Sequence, residues 1–202
     1  MNIGIYVYEN SEVLDFSGPF EVFSTAARLR RPDWNVFTLG QTLSPIQARG
    51  GFNHTPKFSV ASHPPIDVLV VVGGVHHDEM DKADVIAWIV DVAQSAQWVT
   101  SVCTGAFLLG KAGLLEGKKA TTHWEDLPQL KQLFANTQVI SDSRWVQDGH
   151  VVTSAGISAG IDMCLWLVSQ IADLELAELT ATQMDYDWKT GPKADLLFND
   201  FS

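Results

Sequence analysis

The run Thr100 to Gly110, TSVCTGAFLLG, sets a single cysteine, Cys103, between an apolar strand pattern and a glycine-containing amphipathic helix pattern. A strand that breaks sharply into a helix exposes one side chain at the turn and aims the first free N–H groups of the helix at it. Those donors and the positive end of the helix dipole favour a thiolate over a thiol. Cys103 is therefore expected to carry a lowered pKa and to oxidise ahead of Cys164, which falls on the apolar stripe of a later helix. Ser101-x-Cys103-x-Gly105 is the nucleophile-elbow pattern with Ser in place of the first Gly. A buried structural cysteine is the competing reading, since free Cys is among the most buried residue types. Packing alone does not call for small residues on both sides at this spacing.

Three loops follow strand patterns and should gather at one sheet edge, and they hold Asp15, Gly73-Gly74 and Cys103. Asp15 sits in Val13-Leu14-Asp15-Phe16, where desolvation would raise its pKa and suit it to proton exchange with a thiol. It is equally readable as an ordinary helix-start Asp. Gly73 and Gly74 permit close backbone approach, and their N–H groups, with that of Thr104, would form an oxyanion-type cradle opposite the sulfur. A plain tight turn is the alternative. His123, at the head of a helix, is a candidate base or thiolate partner, or a structural histidine. His76-His77 with Asp78 and Glu79 looks like a metal cluster superficially. Adjacent histidines rarely point the same way, so this reads as a solvated loop, and no metal or cofactor is expected.

These residues need a scaffold, and its elements are legible as pattern. Asn2–Tyr8, Asn35–Leu39, Asp67–Val72 and Trp98–Val102 read as strands, with 46–60 irregular and short-stranded. Ser17-Gly18-Pro19 reads as a helix start capped by Ser17. Further helices are expected over Ala83–Ala96, Thr104–Leu115, Trp124–Phe134, from Ser158 past Ile171, and Leu174–Tyr186. Arg144–Ser154 reads as a hairpin around Asp148-Gly149. Strands alternating with helices predict an α/β three-layer sandwich with a mostly parallel central sheet, its site at the carboxyl ends of the strands.

At 202 residues and 46% hydrophobic, the chain is expected to be one domain spanning 1–202. No apolar run reaches the roughly 18 residues of a membrane span. The start lacks a basic n-region, and there are two cysteines, so a reducing cytoplasm is the expected compartment. A net charge of −11 argues against nucleic acid as a partner.

Together, LDFSGPFEVF (Leu14 to Phe23), VVVGG (Val70 to Gly74), SVCTGAFLLGKAGLL (Ser101 to Leu115), KATTHW (Lys119 to Trp124) and TSAGISAGID (Thr153 to Asp162) resemble the ThiJ/PfpI superfamily. Its fold is the flavodoxin-like, class I glutamine amidotransferase-like sandwich. Within it the chain is similar to the isonitrile hydratase branch and to the amidotransferase-like domain of AraC-type regulators. The resemblance implies Cys103 as nucleophile, Asp15 as its acidic partner, backbone donors at Gly74 and Thr104, and His123 beside them. Gly73, Gly74 and Trp124 are the substrate- and oxyanion-binding candidates. Many superfamily members carry Glu where this chain has Asp15, and often Pro where it has Val72. The implied activity is a lyase-type hydration of an isonitrile to an N-substituted formamide, with a small-molecule substrate, no cofactor and a homodimer. A ligand- or redox-sensing module is the alternative, although no DNA-reading domain is expected before Ser202. A glyoxalase, deglycase or chaperone-like stress protein is the third reading.

Overall fold

A computed structural model of the chain describes residues 1–190, so the end of the tail after the last helix lies outside the described residues. The elements run β1 (Asn2–Tyr6), α1 (Val13–Leu29), β2 (Asn35–Gly40), β3 (Ile46–Ala48), β4 (Phe52–His54), β5 (Phe58–Ser59) and β6 (Val68–Val71). Then come α2 (His77–Met80), α3 (Ala83–Ala93), β7 (Trp98–Val102), α4 (Gly105–Lys111), β8 (Lys119–Ala120), α5 (Leu127–Leu133) and β9 (Gln138–Val139). The hairpin β10 (Trp145–Asp148) and β11 (Val151–Ser154) precedes α6 (Ala159–Ile171) and α7 (Leu174–Gln183).

The main sheet has the order β10-β11-β7-β6-β1-β2-β5, and every pairing in it is parallel except β10 with β11. A parallel pair needs a crossover, and the helices supply it on both faces. Helices α1, α6 and α7 pack together as one layer, and α2, α3 and α4 form the other. That is why β6 is apolar at every position: Val68, Leu69, Val70 and Val71 are all fully buried between two layers. Beside the sheet, β3 and β4 form an antiparallel ribbon and β8 pairs with β9. No helix among the described residues is long and apolar enough to cross a membrane.

The first helix corrects the sequence reading. It starts at Val13, so Ser17 is no cap, and the Ser17 hydroxyl donates back to Val13 O at 2.8 Å. Pro19 signals a helix start, yet it lies inside this helix and removes only one N–H from its ladder. The consequence is functional: Asp15 occupies the first turn of α1 and is fully buried. Elsewhere α4 stops at Lys111, ahead of Gly113 with φ +74°, and the residues from Trp124 begin as a 3₁₀ turn before α5. Ser158 does take the N-cap position of α6, without a side-chain cap bond.

The carboxylate of Asp162, on the first turn of α6, is fully buried and heavily bonded. Arg144 forms an ion pair with Oδ2, its Nε at 2.6 Å. Tyr186 OH donates to the same oxygen at 3.2 Å, and the Lys189 N–H donates to Oδ1 at 2.8 Å. One buried charge thus joins the residue before β10, α6 and the segment after α7. Removing its cation strands the carboxylate, which typically costs about 3 kcal/mol or more. We expect Arg144→Met to lower stability in urea unfolding by that order at pH 7. Burial raises the Asp162 pKa, so the penalty should shrink at acidic pH, where the stranded group takes a proton. A penalty that does not change with pH would show that Arg144 acts through packing alone.

Candidate functional site

The carboxyl ends of β1, β6 and β7 lie side by side, and the segments leaving these three strands meet at one point. Cys103, directly after β7, has φ +55°, a left-handed backbone that non-glycine residues adopt at a cost of about 1–3 kcal/mol. Neighbouring groups hold it there. The Cys103 N–H donates to Ser154 O at 3.2 Å, and Thr122 Oγ1 donates to Cys103 O at 2.8 Å. Gly105 lets α4 leave the turn at once, since a β-carbon there would stand 2.1 Å from Val71 O.

Gly73 marks the convergence. A β-carbon built on it would lie 2.6 Å from the Thr104 nitrogen, 2.8 Å from Asp15 Oδ2 and 2.8 Å from Cys103 Cβ. The Gly73 N–H donates to Asp15 Oδ2 at 3.0 Å, while Asp15 Oδ1 is buried with no hydrogen-bond partner. Burial raises the Asp15 pKa from 3.8 to about 8, against the lowering effects of the Gly73 N–H, the Cys103 thiol and Arg49. At neutral pH this carboxyl therefore holds a proton.

The lowered thiol pKa expected from the helix N-terminus is overturned. Burial pushes the Cys103 thiol up, and the Asp15 charge pushes the same way; the Thr104 N–H opposes them without prevailing. Burial pushes Cys164 up as well. The elbow thus supplies one donor to the sulfur inside a site that is 7% exposed, and desolvation is the larger effect. The Asp15 charge and the Cys103 thiol thus act on each other across the turn.

The cradle expected from Gly73 and Gly74 is also corrected, because both N–H groups are already engaged. That of Gly73 serves Asp15, and that of Gly74 donates to Thr104 Oγ1 at 2.9 Å. The Thr104 hydroxyl in turn donates to Gly74 O at 3.0 Å. Thr104 therefore contributes through its side chain, pinning the glycine turn, as well as through its N–H beside the sulfur.

A cavity of about 270 Å³ opens above Cys103, and Thr104, Gly74, His76, His123, Arg49 and Ile157 are among its walls. His123 stands close to the sulfur across Gly156, where a β-carbon would meet His123 Cδ2 at 2.2 Å and Cys103 Sγ at 3.2 Å. Its Nδ1 lies 3.5 Å from Asp126 Oδ2. Trp124 is half-exposed beside His123, ring centroids 5.6 Å apart, and is not part of the cavity wall. His76 departs from the solvated loop expected of it: it is 3% exposed and its ring packs on Phe107 at 4.4 Å. No group of three metal-ligating side chains comes together among the described residues. Thr122, Ser154, Gly156 and the Glu12–Arg49 ion pair at the cavity rim were not picked out from the sequence. The glycine two residues past the end of β11 was the available signal for one of them.

The chain matches the DJ-1/PfpI family over residues 2–170. It is 34% identical over 187 residues, 92% of this chain and 78% of the relative, to an isonitrile hydratase of Pseudomonas putida. It is 26% identical over 92% of its length to the HTH-type transcriptional regulator GbdR of Pseudomonas aeruginosa, of which it spans 51%. Among solved structures, a ThiJ/PfpI family protein from Pseudomonas syringae superposes with TM-score 0.83 at 30% identity, covering 100% of this chain and 78% of that one. Drosophila melanogaster DJ-1beta shares the fold with TM-score 0.80 at 20% identity, over 93% of this chain and 98% of that one.

The raised carboxyl makes a thermodynamic prediction. Unfolded, Asp15 loses its proton near 3.8; folded, it keeps it to about 8. The stability this contributes is complete below the lower value and is lost as pH rises through the upper one, a change on the order of a few kcal/mol. Asp15→Asn has no proton to lose. Thermal midpoints should therefore show the variant gaining on the parent between pH 4 and pH 8. Parallel curves would mean that Asp15 has an ordinary pKa.

Proposed function

This chain belongs to the DJ-1/PfpI family, and from that membership we propose a cysteine-dependent enzyme that hydrates isonitriles to N-substituted formamides. The observation that carries the reading is the buried carboxyl of Asp15, its pKa raised to about 8, set beside the elbow cysteine at Gly73. An isonitrile accepts its nucleophile and its proton at the same atom, the terminal carbon. A nucleophile and an acid must then be neighbours facing one small cavity. The similarity to an isonitrile hydratase at 34% identity supports the same substrate class.

In the productive form the pair holds one proton, which Asp15 takes from the Cys103 thiol as the sulfur becomes the nucleophile. Sulfur attacks the isonitrile carbon, Asp15 protonates that carbon, and a thioformimidate forms on Cys103 with Asp15 left ionised. Water then adds to the same carbon while Asp15 takes a water proton and passes it to nitrogen. As the carbonyl forms, the hydroxyl proton goes to Asp15 and the C–S electron pair returns to sulfur. The formamide leaves and the pair regains its starting charge. The Thr104 N–H stabilises the thiolate at both ends of the cycle, and His123 closes the cavity over it. The homodimer belongs to this reading too, supported by the exposed apolar side chains Leu14 and Phe20 on α1 and Phe52 on the ribbon that α1 carries.

The regulator relatives favour a second reading, a domain that binds a small molecule in this cavity without turning it over. Incubation with alkyl and aryl isonitriles, and in parallel with methylglyoxal, separates the two when product is followed by mass spectrometry. Formamide is expected from the isonitriles. Binding without product from either reagent would favour the sensor, and lactate from methylglyoxal alone would replace the hydratase with a glyoxalase. Within the hydratase, Asp15→Asn should lower turnover by at least about 100-fold while the fold persists. Thr104→Ser, which keeps the hydroxyl on Gly74, should retain most activity, and Thr104→Val should not. Turnover within a few-fold of the parent in Asp15→Asn would remove Asp15 from the mechanism.

A further inference from the structure

Tyr6 and Tyr8 project from the end of β1 with their rings stacked, centroids 6.1 Å apart, but their hydroxyls have different fates. Tyr6 OH bonds the buried carboxylate of Glu79, which Lys82 neutralises at 2.8 Å. Tyr8 is 3% exposed and its hydroxyl is fully buried with no hydrogen-bond partner. A buried unpaired hydroxyl is unfavourable by about 1–3 kcal/mol and calls for an explanation. Its surroundings suggest one. The Thr104 hydroxyl, the Cys103 sulfur and the Asp15 carboxyl all act on the Tyr8 phenol, as Glu79 does from the other side. Asp15 Oδ1 is another buried oxygen of this region left without a partner, as is Ser11 Oγ beside Gly74. Two unpaired polar atoms facing one reacting centre describe the place of a water molecule, which takes 2–4 polar partners.

We propose that Tyr8 is a positioning residue for the water that completes hydration, holding it against Asp15 Oδ1. The phenol turns its O–H to Thr104 Oγ1 and accepts one O–H of the water, while Asp15 accepts the other. This fixes the water's lone pair toward the carbon attached to Cys103. Burial keeps the Tyr8 pKa well above its ordinary value, so the phenol stays neutral throughout and takes part only as a hydrogen-bonding group. Tyr8 also borders a second cavity of about 190 Å³, lined by Val7, Glu9, Thr42, Ile46 and Lys82 among others.

The inference rests on the reading of Cys103 as a nucleophile whose adduct is hydrolysed, and its test separates it from the choice of substrate. The variant is Tyr8→Phe, which keeps the ring and removes only the hydroxyl; its thermal midpoint should stay close to the parent's. The first probe is p-nitrophenyl acetate. Cys103 displaces p-nitrophenolate in a burst, and water then releases acetate from the acetyl thioester. In Tyr8→Phe the burst should be unchanged and the steady rate about 10-fold slower, the worth of one hydrogen bond. Intact mass should show the acetyl adduct accumulating on Cys103. With benzyl isonitrile, kcat and KM should fall together as the thioformimidate accumulates. An unchanged steady rate, or a burst slowed as much as the steady phase, would overturn the role of Tyr8. An acetyl burst in the parent without any formamide would instead overturn the isonitrile reading and leave Tyr8 to be judged on the ester alone.

Discussion

The left-handed backbone of Cys103 is the constraint around which the other parts are arranged. It is unfavourable for a residue with a β-carbon, and it persists because groups from distant parts of the chain close on it. Ser154, at the end of β11, accepts its N–H, and Thr122 caps its carbonyl. Gly105 removes the atom that would collide with Val71 O. Relaxing the turn to a common conformation would swing the sulfur away from Asp15 and break these contacts together. The sheet fixes the position of each contributor, so the strain at one residue is borne by the packing of three strands.

The electrostatics of the pair stem from the same closeness. A helix N-terminus favours a thiolate in the open, but here the sulfur and a carboxyl are withdrawn from water side by side. Burial disfavours the charged form of both groups; the Asp15 charge adds to the rise at Cys103, while the Cys103 thiol works against it at Asp15. The Gly73 N–H and the Thr104 N–H set how far the balance shifts. An acid at neutral pH is thereby made from a carboxyl that would be ionised on a surface.

Much of this was legible in the chain because it is written in local pattern. The apolar run before Cys103 and the small residues around it specify strand, turn and helix together, and the strand Trp98–Val102 appears with the expected bounds. The apolar run in Asp67–Val72 marked a strand covered on both faces, and the strand spans Val68–Val71. The features that escaped were set by three-dimensional closeness. Pro19 signals a helix start, yet α1 begins a turn and a half earlier and so buries Asp15 in its first turn. The Gly74 N–H looked available because the Thr104 hydroxyl that occupies it comes from another strand's end. His76 follows a glycine pair like any loop residue, and only Phe107 across the layer accounts for its burial. Tyr8 differs from Tyr6 by nothing in the local sequence; Glu79 meets one hydroxyl and leaves the other unmet.

The bonds gathered at Asp162 bear on how such a domain can be extended. Tyr186, Trp188 and Lys189 all attach to that one residue, whose helix begins just after Gly156 and Ile157 at the cavity wall. The chain after α7 is therefore moored as far as Lys189, and a junction made earlier would strip a buried charge of part of its donors. Anything joined farther along would inherit a fixed point of departure, anchored a few residues from the wall of the cavity. Tension on such a tether would be felt first at Asp162, and next at the residues that close over the sulfur.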